Sequence, residues 1–164
     1  GRYSIMSRLP ILESRVIIAR DGVEIAYVQF DASASLGRNL TIYLVDLPSE
    51  LRVPRADQAR RVRAWLDDTD APTPDLVLGD FNTPRDSHSL ELLFPEFHHA
   101  FDDGGTGYGS SFHRSFPLYH IDHILLSNML RAESYALVNP EIGRHLIQQA
   151  MISSQKSSIE PARD

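Results

Sequence analysis

Leu76-Val77-Leu78-Gly79-Asp80-Phe81-Asn82 is the stretch on which the reading of this chain turns. Three consecutive apolar residues follow the break Ala71-Pro72-Thr73-Pro74, and they read as a short strand buried on both faces. Gly79 permits an unusual or closely approached backbone at the strand end. In open α/β sheets ligands gather beyond the carboxyl ends of strands, which is where Asp80 and Asn82 would emerge. Two positions apart, they can share a face. A carboxylate there can take a proton from attacking water, and a carboxamide can donate to a phosphoryl oxygen as charge builds on it. Asp and Asn are also common turn formers, so the tetrapeptide by itself fits an ordinary turn equally well.

A second cluster weighs toward chemistry. Tyr119 to Ser127 (YHIDHILLS) reads as a strand with Asp122 set among apolar residues. A carboxylate in that setting is costly unless it is paired or hydrogen-bonded. A histidine is its natural partner, because the carboxylate orients the ring and stabilises the imidazolium. The candidate is His145, at the start of the apolar-rich segment His145 to Ile152. His123 alternates to the opposite strand face and reads as structural. His98 and His99 are adjacent and cannot face one metal from a regular strand, while His88, His113 and His120 read as surface residues.

Composition sets broad bounds. With 164 residues, 42% of them hydrophobic and 23% charged, the chain describes one globular domain. A net charge of −6 argues against tight nonspecific duplex binding, which draws its affinity from phosphate neutralisation. The one basic concentration, Arg52, Arg55, Arg60, Arg61 and Arg63, is interspersed with acids and reads as a solvated helix face. The absence of cysteine excludes disulfides and thiolate metal sites. The glycines of Asp102 to Ser111 lack the helix-linked pattern of a nucleotide cradle and read as a substrate or surface loop.

Other elements can be placed by pattern. Val16–Arg20 and Val23–Phe30 read as a hairpin joined by Asp21-Gly22. A small-residue loop covers 31–38, a strand 39–47, and a helix runs from Pro54 to about Asp68 with Ala59, Val62 and Leu66 inward. Ser87 marks a short helix through Phe94.

These pieces, in order, resemble the endonuclease/exonuclease/phosphatase superfamily, the deoxyribonuclease-I-like hydrolases. The residues that carry the likeness are Gly79-Asp80-Phe81-Asn82-Thr83-Pro84, the strand Ile121 to Ser127, and a histidine before a last strand. Ile42 to Ser49 resembles the family strand that usually reads His-Leu-Pro, with Asp46 standing where many relatives place histidine. Tyr3 to Ile11 resembles an earlier family strand and turn. The resemblance implies an α/β fold with a mixed, largely antiparallel sheet and flanking helices, like the later half of a two-sheet sandwich.

The function implied is metal-dependent phosphoester hydrolysis by water attack on a phosphate ester of nucleic acid, phospholipid or a small phosphodiester. Asp80 would activate or orient the water and Asn82 would bind the scissile phosphate. His145, oriented by Asp122, would stabilise that phosphate or protonate the leaving oxygen; Asp46 is counted with these catalytic residues, although an aspartate there leaves one possible acid or phosphate contact of the family absent. Mg²⁺ or Mn²⁺ is the implied ion. Asp80 is a candidate ligand, and the main Glu ligand is expected in an amino-terminal half that has no counterpart in this sequence. Residues 1–152 would thus form a partial domain, 153–164 a polar tail, and a homodimer would cover an exposed sheet face. Arg144 stands where the family has a metal-assisting aspartate. That departure supports the alternative of a catalytically impaired module binding a phospho-ligand or a protein.

Overall fold

The computed structural model describes residues 3–50 and 52–155. Strands β1 (Ile11–Arg20), β2 (Val23–Phe30), β3 (Leu40–Asp46), β4 (Leu76–Asp80), β5 (Phe97–His99) and β6 (Asp122–Ser127) form one sheet. Their order is β1-β2-β3-β4-β6-β5, and only the β3–β4 pair is parallel. A second sheet pairs β7 (Leu130–Val138) with β8 (Ile147–Ser154). The helices are α1 (Ser33–Leu36), α2 (Arg55–Asp67), α3 (His88–Leu93) and α4 (Ala100–Gly104). The expected mixed α/β sheet with flanking helices is the architecture observed, and none of these helices is long and apolar enough to cross a membrane.

Strand alternation divides the core in two. Tyr27, Tyr43, Val45, Val77 and Leu125 turn to one face, where α2 contributes Ala59, Val62 and Leu66 and α3 contributes Leu90 and Leu93. Leu76 and Leu126 turn to the other face and pack with Phe101, Leu130, Ala132 and Tyr135 of α4 and β7. The β7–β8 layer covers this second face in part, leaving a groove of about 450 Å³ lined by Ile42, Leu78, Ile124 and Ala150 among others. Parallel β3 and β4 are joined through α2, so both end at the same edge, where the sheet meets the loops that follow.

The hairpin turn follows its sequence signal. Asp21 and Gly22 both have positive φ, 52° and 79°, as a two-residue turn matched to strand twist requires. Pro54 stands just before α2 rather than within its first turn, and its carbonyl accepts from the Asp57 and Gln58 N–H groups. Several expectations are corrected. Residues 3–10 form no regular strand; β1 begins immediately after Pro10, which has no N–H to give a ladder. The 31–38 loop contains α1, nucleated by the Asp31 carboxylate accepting from the Ser33 N–H at 3.0 Å. Phe97–His99 forms β5, and Ala100 and Phe101 open α4. β6 starts at Asp122, because Tyr119 is committed to a bridge with Phe112 and the carbonyls of His120 and Ile121 accept from Arg85 and Phe81. β8 runs through Ser154, and residues 156–164 of the expected tail lie outside the described residues.

His120 is buried rather than at the surface, 8% exposed, and stacks on His123 with ring centroids 5.0 Å apart. His123 is fully buried, its Nε2 2.8 Å from the Thr83 carbonyl oxygen, which agrees with its structural reading. His99 completes the group at 5.1 Å from His123. Burial lowers all three, His120 to about 4 and His123 to about 3. Folded pKa values below the unfolded ~6.5 mean that the unfolded chain binds more protons. The stability these neutral rings contribute is full above that unfolded value and is lost as pH falls toward 4 and 3. Urea midpoints are therefore expected to drop between about pH 6.5 and 4.5, and replacing His123 with Gln should flatten that slope.

Candidate functional site

Register brings the predicted residues together. Glu24 pairs with Asp46, Asp46 with Asp80, and Asp80 with Asp122, so four acidic residues form one row across β2, β3, β4 and β6. Neighbouring strands lie about 4.8 Å apart, which leaves these carboxylates close enough to repel one another. Burial raises the Asp80 carboxyl above the usual carboxylate range, and the Asp122 and Asp46 charges add to that rise. The Asn82 N–H and His145 pull in the opposite direction.

Asp80 sits at this edge because Gly79 precedes it. Gly79 has φ +146°, and a Cβ there would lie 1.9 Å from the Val45 carbonyl oxygen. Asp80 Oδ1 accepts from the Asn82 N–H at 2.9 Å, and Asn82 has φ +46°. That is the turn which Asp and Asn favour, so the tetrapeptide forms a turn and presents both side chains at the site together. The Asn82 carboxamide donates from Nδ2 to the Leu47 carbonyl at 2.7 Å, and the Leu47 N–H donates to the Asp80 carbonyl at 2.9 Å. The segment after β3 is thereby strapped beside the β4 end.

His145 meets both carboxylates. Its Nδ1 lies 2.8 Å from Asp122 Oδ2 and its Nε2 3.9 Å from Asp80 Oδ2. Ligand atoms of Asp80, Asp122 and His145 lie within 4.8 Å of one another, a donor set able to hold a metal ion. Two residues outside the sequence-derived set hold Asp122 in place. The hydroxyl of fully buried Ser111 donates to Asp122 Oδ2 and accepts from its N–H at 3.3 Å, and Gln148 donates to its carbonyl. The sequence signal for Ser111 is its position before an aromatic at the end of the glycine-rich loop; Gln148 has none. Phe112 lies against the His145 ring, centroids 4.9 Å apart, and the two residues form an antiparallel bridge.

Arg144 is turned toward Phe112, its guanidinium 5.2 Å from that ring. Arg60 and Arg63 pair with Asp57 and Asp67 on the exposed side of α2, as a solvated helix face requires. Arg55 does not belong to that face. It is half-buried and bonds to the Pro48 carbonyl.

One edge of this mixed sheet thus gathers carboxylates, a carboxamide and a carboxylate-oriented imidazole. The chain matches the Endonuclease/Exonuclease/phosphatase family over residues 1–155, and it belongs to that family. Among curated proteins, none matches it significantly. Solved structures with the same architecture include a functionally unknown conserved protein from Enterococcus faecalis V583. It has a TM-score of 0.67 and 15% identity over 90% of this chain and 68% of that one. The mannosyl-6-phosphatase of Bacteroides thetaiotaomicron gives a TM-score of 0.67 and 13% identity, over 88% of this chain and 67% of that one. TDP2 of D. rerio, complexed with single-strand DNA product, gives 0.61 and 19%, over 89% and 69%. This chain therefore spans about two thirds of the length of each, and at these identities the likeness is one of fold.

Proposed function

We propose that this chain carries the central residues of a divalent-metal-dependent phosphoester hydrolase that attacks phosphorus with water. The observation that supports this most directly is the Asp80–His145–Asp122 constellation, in which the imidazole bridges two carboxylates at the sheet edge. Asp80 is the group that orients the attacking water and accepts its proton; its raised proton affinity suits a base. Asn82, with Nδ2 anchored on Leu47, keeps a second N–H for a phosphoryl oxygen. Asp122 holds His145 at Nδ1, which leaves Nε2 to stabilise the phosphate or pass a proton to the leaving oxygen. Asp46, in register with Asp80, is counted with the catalytic residues.

The donor set fits a hard divalent ion. Asp80 and Asp122 would supply carboxylate oxygens, with His145 Nε2 kept for the phosphate, and a cation there would relieve the repulsion between the two carboxylates. Such an ion would neutralise phosphoryl charge and support departure of the leaving alkoxide. A further carboxylate from an amino-terminal segment, as the family resemblance implies, would complete the set. The substrate is a phosphate ester; nucleic acid, phospholipid and small phosphodiesters all suit these groups.

The test is hydrolysis of bis(p-nitrophenyl) phosphate and of a nucleic-acid panel with Mg²⁺, Mn²⁺ or EDTA. It is run on this chain and on a longer polypeptide that supplies the amino-terminal part of the fold. Turnover that needs metal and is abolished by EDTA is expected, stronger in the longer form. Phosphate binding without turnover in either folded form would overturn hydrolysis and leave a phospho-ligand-binding module, the reading favoured by Arg144.

A further inference from the structure

Arg55, the first residue of α2, is half-buried, unlike the arginines farther along that helix. Its Nη1 donates to the Pro48 carbonyl at 2.6 Å and to Gln58 Oε1 at 2.9 Å, both neutral acceptors. Arg60 and Arg63 each pair with a carboxylate at 3.0 Å or less, and Arg61 lies 3.9 Å from Asp21. Among the described residues, no carboxylate lies within 4.0 Å of the Arg55 guanidinium. Burial works against its charge, and the charged group that acts on it is Asp80.

Connectivity places this cation next to the site. Leu47 bonds through its N–H to the Asp80 carbonyl and through its carbonyl to Asn82 Nδ2. Pro48, one residue on, holds Arg55. β3, from which this strap emerges, flanks β4 on one side, while β6, which carries Asp122 and through it His145, flanks β4 on the other. Asp80 and Asn82 thus lie between a histidine and a half-buried arginine.

We infer that Arg55 is a second anchor for the phosphate of the substrate, gripping its non-bridging oxygens from the β3 side while His145 faces it from the β6 side. A guanidinium keeps its charge at any working pH and offers five N–H donors in a rigid fork. The two contacts to Pro48 and Gln58 employ Nη1 alone, which fixes the plane and leaves Nη2 and Nε for an anion. Phosphate oxygens match that fork in spacing and supply the negative charge the partly desolvated cation lacks. The assignment rests on the phosphoesterase reading of the neighbouring site, and it makes Arg55 a determinant of substrate affinity.

Calorimetric titration of inorganic phosphate into the 164-residue chain tests it, with Arg55→Gln, Arg55→Lys and, as control, Arg63→Gln. Affinity is expected to fall at least tenfold in Arg55→Gln, to be intermediate in Arg55→Lys, which keeps the charge without the fork, and to be unchanged in Arg63→Gln. Circular dichroism monitors folding. If Arg55→Gln does not fold, wild-type affinity in Arg55→Lys overturns the anchor, as does wild-type affinity in a folded Arg55→Gln or no phosphate binding by the parent chain. Arg55-dependent phosphate binding in a chain that hydrolyses no ester would keep the anchor and remove the hydrolase reading. Metal-dependent hydrolysis with KM unmoved by Arg55→Gln would keep the hydrolase and remove the anchor.

Discussion

Asp80→Asn and His145→Ala are each expected to lower metal-dependent turnover by about 10³-fold, the usual scale for losing a positioned proton-transfer group. The chain should remain folded in both variants. Asp80 and His145 are half-buried at the sheet edge, and an Asn amide oxygen can still accept from the Asn82 N–H that closes the turn. Stability even provides a second readout with a definite sign. Burial and two neighbouring carboxylates penalise the ionised form of Asp80, so the neutral amide is expected to hold or raise the melting temperature while activity collapses. Because the two side chains face each other at 3.9 Å and serve one phosphate, the double variant should lose little more than either single one. Turnover within a few-fold of wild type in both single variants would remove Asp80 and His145 from the chemistry. A fall in activity that tracked a fall in melting temperature would assign them to folding.

Gly79→Ala is expected to be the most damaging single-methyl change in the sheet, with loss of the cooperative fold or several kcal/mol of destabilisation. The added Cβ would sit 1.9 Å from the Val45 carbonyl oxygen and 2.8 Å from its carbon, atoms of the adjacent strand that have no rotamer to escape into. The φ of +146° adds a conformational cost of about 1–3 kcal/mol for any L side chain. A domain of ordinary stability, roughly 5–15 kcal/mol, has little margin for the sum. Gly37→Ala is the matched control. Its φ is +70°, but the added methyl would meet nothing within 4 Å, so about 1 kcal/mol is expected. Urea titrations of the two variants separate packing from conformation, and equal midpoints would refute the close-approach argument. Any adjustment that let Gly79→Ala fold would have to part β3 from β4, and with them Asp46 from Asp80.

Local chemistry is legible in a linear sequence where one segment contains its own cause. The apolar run before Gly79, the Asp21-Gly22 turn and the spacing of Ala59, Val62 and Leu66 each specify a structure within a few residues, and each forms as its pattern dictates. Where neighbours compete, local pattern misleads. The apolar company of Tyr119 suggests a strand, yet its backbone is bonded to Phe112, so β6 starts three residues later. A lone histidine such as His120 is polar enough to suit the surface, and it is buried by stacking on His123, whose position depends on Thr83 forty residues away.

The same division holds for the site. The sequence by itself determined which residues carry charge and hydrogen-bonding capacity, namely Asp80 and Asn82 at a strand end, Asp122 within an apolar strand, and the histidine that an embedded carboxylate calls for. It also showed that Gly79 permits an unusual or closely approached backbone before the aspartate. Only the tertiary structure decided the row that sets Asp46, Asp80 and Asp122 side by side, the support of Asp122 by Ser111 and Gln148, and the separation of Arg55 from its helical neighbours. The reason is physical: strand register, and the strap from Leu47 to Asn82, are set by hydrogen bonds between segments far apart in the chain. No local pattern encodes which carboxylate will face which cation once those segments meet.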